Sequence, residues 1–123
     1  MKIFQLSKEN GKNITEFKSN FIMSRIINTE SSASIGCMYL EENGVIGYHQ
    51  AVVPQLLLII DGEGFVRNEQ EQYFQVYSGD AIFWEKDEWH ETKSDKGLTG
   101  IVIESEHLNP AAFMPTKKVV DIF

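Results

Sequence analysis

One cysteine, Cys37, and three prolines are all that these 123 residues contain of either type. A single thiol cannot close a disulfide within the chain, so packing and hydrogen bonding must hold the fold. Basic clusters are missing too: nothing exceeds the Lys117-Lys118 pair, and the net charge is −7. Affinity for a phosphate backbone rests on Lys and Arg, which excludes nucleic acid as a partner. The acidic balance reads as a solubility feature. The longest apolar run covers only residues 56–60, far short of the roughly 20 residues of a membrane-spanning helix. The opening MKIFQLSKENGKN has no apolar signal core, so the expectation is a cytoplasmic protein with no membrane partner.

What is present is strand-forming sequence. Hydrophobic residues make up 42% of the chain and charged residues 24%, ordinary values for one soluble globular domain. Segments rich in Val, Ile, Phe and Tyr recur at 21–27, 35–40, 45–49, 55–60, 64–67, 72–76, 81–84 and 100–104. Gly, Asn, Asp and Ser punctuate them, notably at 42–44, 61–64, 78–80 and 94–97. Short strands at this spacing predict an all-β sandwich or barrel. Helical periodicity is weak; the best helical stretch is 110–114, with Asn109 as cap and Pro110 in the first turn. The tail 115–123 reads as extended, with VVDIF adding an edge strand or packing on a neighbour. Cys37, inside SIGCMYL, is expected to be a small buried core residue.

Strand parity orders the candidate residues. In 55–60, Gln55, Leu57 and Ile59 point one way and Leu56, Leu58 and Ile60 the other. Both faces are apolar, so both need a cover. One is the interior; the other is a second sheet or a second subunit, which makes a homodimer the expected state. His49 and Gln55 share a parity, although Pro54 can shift the phase. Glu88 and His90 share another, with Trp89 and Glu91 opposite. Trp84 shares the parity of His90. Phe83, Trp84, Trp89 and Tyr48 are core packing or the rings of a pocket for a small planar or apolar molecule. Glu85, Asp87, Glu88 and Glu91 read as a solvated rim, and His107 as a surface residue.

Two segments carry a resemblance. The first runs Gly44, His49, Ala51, Gln55, Gly62; the second runs Gly79, Glu85, Asp87, His90, Ser94. Their spacing resembles the paired motifs of the cupin superfamily, one residue short in the first spacer. The resemblance implies a single cupin domain over 1–123, with N-terminal strands in 1–33, the motifs in 44–94 and an extension over 106–123. Its fold would be a double-stranded β-helix, a jelly-roll barrel with little helix. In many cupins three histidines and a glutamate ligate a divalent metal. Here His49 and His90 keep their places, while Ala51 and Gln55 stand where a histidine and the glutamate would be. Alanine has no donor atom and glutamine offers a neutral oxygen. Glu88 joins them only if the loop before His90 folds inward. The resemblance therefore implies one of two functions. One is a small-molecule-binding barrel with its pocket between His49, Gln55 and His90, flanked by Trp84 and Leu57, metal-free or weakly metal-binding. The other is a metal-dependent oxygenase or isomerase holding Mn, Fe, Ni or Zn.

Overall fold

The computed structural model describes residues 1–121. Its strands are β1 (Lys2–Gln5), β2 (Lys12–Ile14), β3 (Phe21–Met23), β4 (Ala33–Leu40), β5 (Val45–Gln50), β6 (Gln55–Arg67), β7 (Phe74–Tyr77), β8 (Asp80–Trp84), β9 (Trp89–Lys93), β10 (Leu98–Ser105) and β11 (Thr116–Val119). No α-helix occurs among the described residues; three short 3-10 turns do, and the expected helix at 110–114 is one of them, Pro110–Ala112. Among the described residues no helix is long and apolar enough to cross a membrane.

The strands form two antiparallel sheets. The larger runs β11-β1-β8-β6-β10-β4, the smaller β5-β9-β6-β7, and β2 with β3 makes a separate hairpin. Strand β6 belongs to both sheets, and this corrects the sequence reading. The segments 55–60 and 64–67 are not separated by a turn at Asp61-Gly62-Glu63-Gly64; they are one strand of 13 residues. Its first half pairs β8 and β10, its second half β7 and β9. The change of partners falls where the register with β10 slips, between Ile59 and Asp61. Gly62 absorbs it at φ +83, with a would-be Cβ 2.4 Å from the carbonyl oxygen of Gly97. Only glycine has both the conformational freedom and the space there.

Alternation along the strands builds two apolar layers. Leu57, Ile59, Val66, Val76, Ile82, Trp84, Leu98 and Val102 pack between the sheets. Leu56 and Leu58 face outward with Phe4, Ala81, Phe83, Ile103 and Met114. The chain itself covers that second layer, using Leu6, Ile26, Ile27 and Leu108. Leu56 and Leu58 therefore have their cover within the chain, while Ile60 stays 47% exposed. The segment 24–27, read as strand, is irregular because its isoleucines serve as this lid rather than as a ladder. Cys37 is exposed, not buried, because β4 is the last strand of the large sheet and, among the described residues, pairs only with β10. The tail adds an edge strand, β11 against β1, but it is formed by Thr116–Val119 and takes in only Val119 of VVDIF; Lys117 anchors it to the buried Asp80 at 2.8 Å. Ile122 and Phe123 of VVDIF lie outside the described residues.

Candidate functional site

Strands β5 and β9 bring the two motif histidines face to face. His49 and His90 are direct register partners, their ring centroids 4.3 Å apart and tilted by 54°. A bulge between Ile46 and His49 sets this pairing: without the extra residue in β5, His49 would turn to the outer face. His49 is exposed, and its Nδ1 lies 2.6 Å from the Gly47 carbonyl oxygen, to which it donates. His90 is only 1% exposed. Trp84, from β8, stacks against it at 4.5 Å and 29°. Among the described residues neither nitrogen of His90 has a hydrogen-bond partner, and neither does the Trp84 indole N–H. Burial, and then the neighbouring His49, depress the His90 imidazolium to a pKa of about 4. His90 is thus neutral at pH 7 and carries one unused donor and one unused acceptor.

The remaining candidates make no hydrogen bond to either histidine among the described residues. Leu57 is fully buried in the inner layer, and Gln55 is buried at the start of β6, opposite Trp84. No side-chain hydrogen bond joins Gln55 to either histidine among the described residues. Ala51 is buried, and its backbone binds the loop between β8 and β9, its N–H donating to Glu88 O at 3.0 Å and its carbonyl accepting from Asp87 N at 2.8 Å. That loop does fold inward. Asp87 stands at the glycine place of the motif with φ 71, a left-handed conformation that Asp tolerates better than most residues. Ser94, at the last motif place, is buried and ties its turn, donating to Glu63 O and accepting from Gly97 N.

Glu88 is buried by the same inward fold and so leaves the solvated rim expected of it. Its carboxylate is engaged elsewhere: Oε2 accepts from the Met1 amino group at 2.5 Å and from Asn68 Nδ2 at 3.3 Å, while Oε1 accepts from Glu85 N at 3.0 Å. Asn68, fully buried, carries no motif signal, and only the structure reveals it. Among the described residues no three His, Cys, Asp or Glu side chains converge. A protein-held metal needs three or four donors. Two imidazoles and a neutral amide that bonds to neither do not fit the four-ligand centre that the resemblance implies.

The four aromatic residues near the motifs do not surround one pocket. Phe83 belongs to the outer layer of the large sheet and Trp84 to the interior. Tyr48 and Trp89 stack at 5.2 Å on the outer face of the small sheet. There the Arg67 guanidinium lies 4.2 Å over Tyr48, and Glu91 accepts from Arg67 Nε at 2.9 Å and from the Tyr73 hydroxyl. These two hydrogen bonds, Tyr73 first, hold the Glu91 carboxyl below its usual range. Among the described residues, surface cavities of about 320 to 720 Å³ are lined by other residues than His49, Gln55 and His90. The smallest, about 320 Å³, adjoins Glu88 and Glu69 beside the β8–β9 loop.

Neither a family model nor a curated protein matches this chain. Solved structures match its fold. It is similar to a cupin superfamily protein of Desulfitobacterium hafniense, with TM-score 0.58 and 13% identity over 69% of this chain and 77% of that one. An RmlC-like cupin of Shewanella frigidimarina gives 0.57 and 15%, over 64% and 70%. An uncharacterised Klebsiella pneumoniae protein with a double-stranded β-helix domain gives 0.56 and 10%, over 79% and 84%. The two sheets joined through β6 are a cupin-type double-stranded β-helix.

Proposed function

We propose that this cupin barrel is a small-molecule-binding protein of the cytoplasm, metal-free or only weakly metal-binding, whose recognition group is His90. One observation supports the reading above others: a histidine 1% exposed has no partner for either ring nitrogen among the described residues. An unpaired buried polar group costs about 1–3 kcal/mol, and such groups in folded proteins call for a reason of their own. A ligand supplies one. A neutral imidazole presents an N–H and a lone pair, matched by a small organic molecule that offers a hydroxyl or carbonyl. The exposed His49 is the gate in this reading. Its side chain is held by a single hydrogen bond to Gly47 O, and rotating it away opens His90 to solvent. Trp84 then backs the ligand as an apolar wall.

The test is a thermal-shift screen of small hydroxy and keto compounds, repeated on His90→Leu and His49→Ala. A compound that stabilises the wild-type protein should lose at least about tenfold in affinity, or about 1.4 kcal/mol, on His90→Leu. Hits that bind His90→Leu equally well would sink the proposal. Elemental analysis after incubation with Mn, Fe, Ni or Zn salts forms the second arm. Stoichiometric metal lost in both His49→Ala and His90→Ala would replace this reading with the metal-dependent one.

A further inference from the structure

Among the described residues strand β4 ends the large sheet: it pairs only with β10, and seven of its eight residues are exposed or half-buried. Natural sheets protect such an edge with a lysine, a proline, a bulge or an inward charge. The sequence ASIGCMYL contains no charge and no proline, and its pairing with β10 runs through all eight residues without a register shift. Its outward face adds exposed apolar surface, Ile35 at 66% and Tyr39 at 73%, with the exposed Cys37 between them. An open ladder of backbone donors and acceptors is completed by another strand.

We propose that this strand is a second copy of β4, joined antiparallel about a two-fold axis at Cys37, so that the large sheets of two molecules form one continuous sheet. The outward stripe Ile35–Cys37–Tyr39 can oppose its own copy, which selects the occupant, and charge selects the register. Two chains of net charge −7 repel overall, so their approach costs least along an uncharged strand, and β4 is one. Opposed residues in an antiparallel pair share a face, so the outward stripe meets itself only in registers that pair odd positions with odd. With Cys37 on the axis, Ile35 opposes Tyr39 of the second copy, and Glu41 and Glu42 oppose Ala33 and Ser32. Centring on Gly36 instead sets Glu42 against Glu30, a like-charge pair. Centring on Met38 sets Ile35 against Glu41 and strands an apolar side chain on a carboxylate.

Opposed residues in an antiparallel pair have Cα atoms about 4.5–5.5 Å apart, within the roughly 4.4–6.8 Å that a disulfide spans. Oxidation therefore reports the register directly, because Cys37 is the only thiol. Diamide treatment of the wild-type protein should give a covalent dimer on a non-reducing gel, and Cys37→Ser should abolish it. Sedimentation equilibrium should find twice the 14.1 kDa chain mass. The exposed-site variant Ile35→Lys should be a folded monomer by circular dichroism and sedimentation. A wild-type monomer at micromolar concentration would overturn the proposal. So would a dimer that survives Ile35→Lys, since another face would hold it. A dimer that Ile35→Lys dissociates but diamide does not cross-link would overturn the Cys37-centred register.

Discussion

At position 90 an imidazole is kept neutral by its surroundings, and folding stability must register this. The unfolded chain titrates His90 near 6.5 and the folded chain near 4. Above the higher value neither state binds the proton, and the full stability is present. As pH falls from about 6.5 toward 4, the unfolded chain takes up a proton that the folded chain refuses, so stability drops, by about 3 kcal/mol at most. Below that window the loss levels off. Denaturant titrations at several pH values should show this slope in the wild type and its absence in His90→Leu. The same variant should be about 1 kcal/mol more stable at neutral pH, because it removes two unpaired polar atoms. Much at the residue scale was legible in the sequence: motif spacing located both histidines. It could not show that Glu88 spends its charge on the Met1 amino group and Asn68, because those partners lie 87 and 20 positions away. Nor could it place Cys37, since a strand's apolar sequence is the same at an edge as at a sheet centre.

Among the elements, β5, β8 and β10 follow their apolar runs to within two residues. Others were hidden by polarity. Strand β9 reads WHETK, with only His90 and Thr92 fully turned inward, and its outer residues are paid out to the Tyr48–Arg67–Glu91 ladder. The long β6 looks like two strands in sequence because Asp-Gly-Glu-Gly is turn-forming. Here the glycines serve a bend within a strand. Gly62→Ala would put a methyl group 2.4 Å from Gly97 O at a positive φ, at an expected cost of about 3 kcal/mol or more. Thermal unfolding should detect it readily. A loss below about 0.5 kcal/mol would show that the loop at Gly97 yields and that the bend does not depend on glycine.

On the scale of the whole molecule, the sequence supports an all-β barrel, and the structure adds how its sheets are joined. The hydrogen-bonded continuity between them runs through β6, which pairs β8 and β10 at one end and β7 and β9 at the other. Two sheets that merely faced each other could open one at a time. Sheets threaded on one strand must let go together, because freeing either one strips half the partners from β6. Native-state hydrogen exchange should therefore find the amides of Leu57, Leu58, Phe65 and Val66 exchanging only through global unfolding, with one shared free energy on both sides of Gly62. Separate values for residues 55–60 and 64–67 would show two units that breathe independently. A barrel that opens only as a whole offers no partly melted sheet to solvent, so a small guest bound as proposed at His90 would enter and leave by side-chain motion at the rim, not by sheet opening.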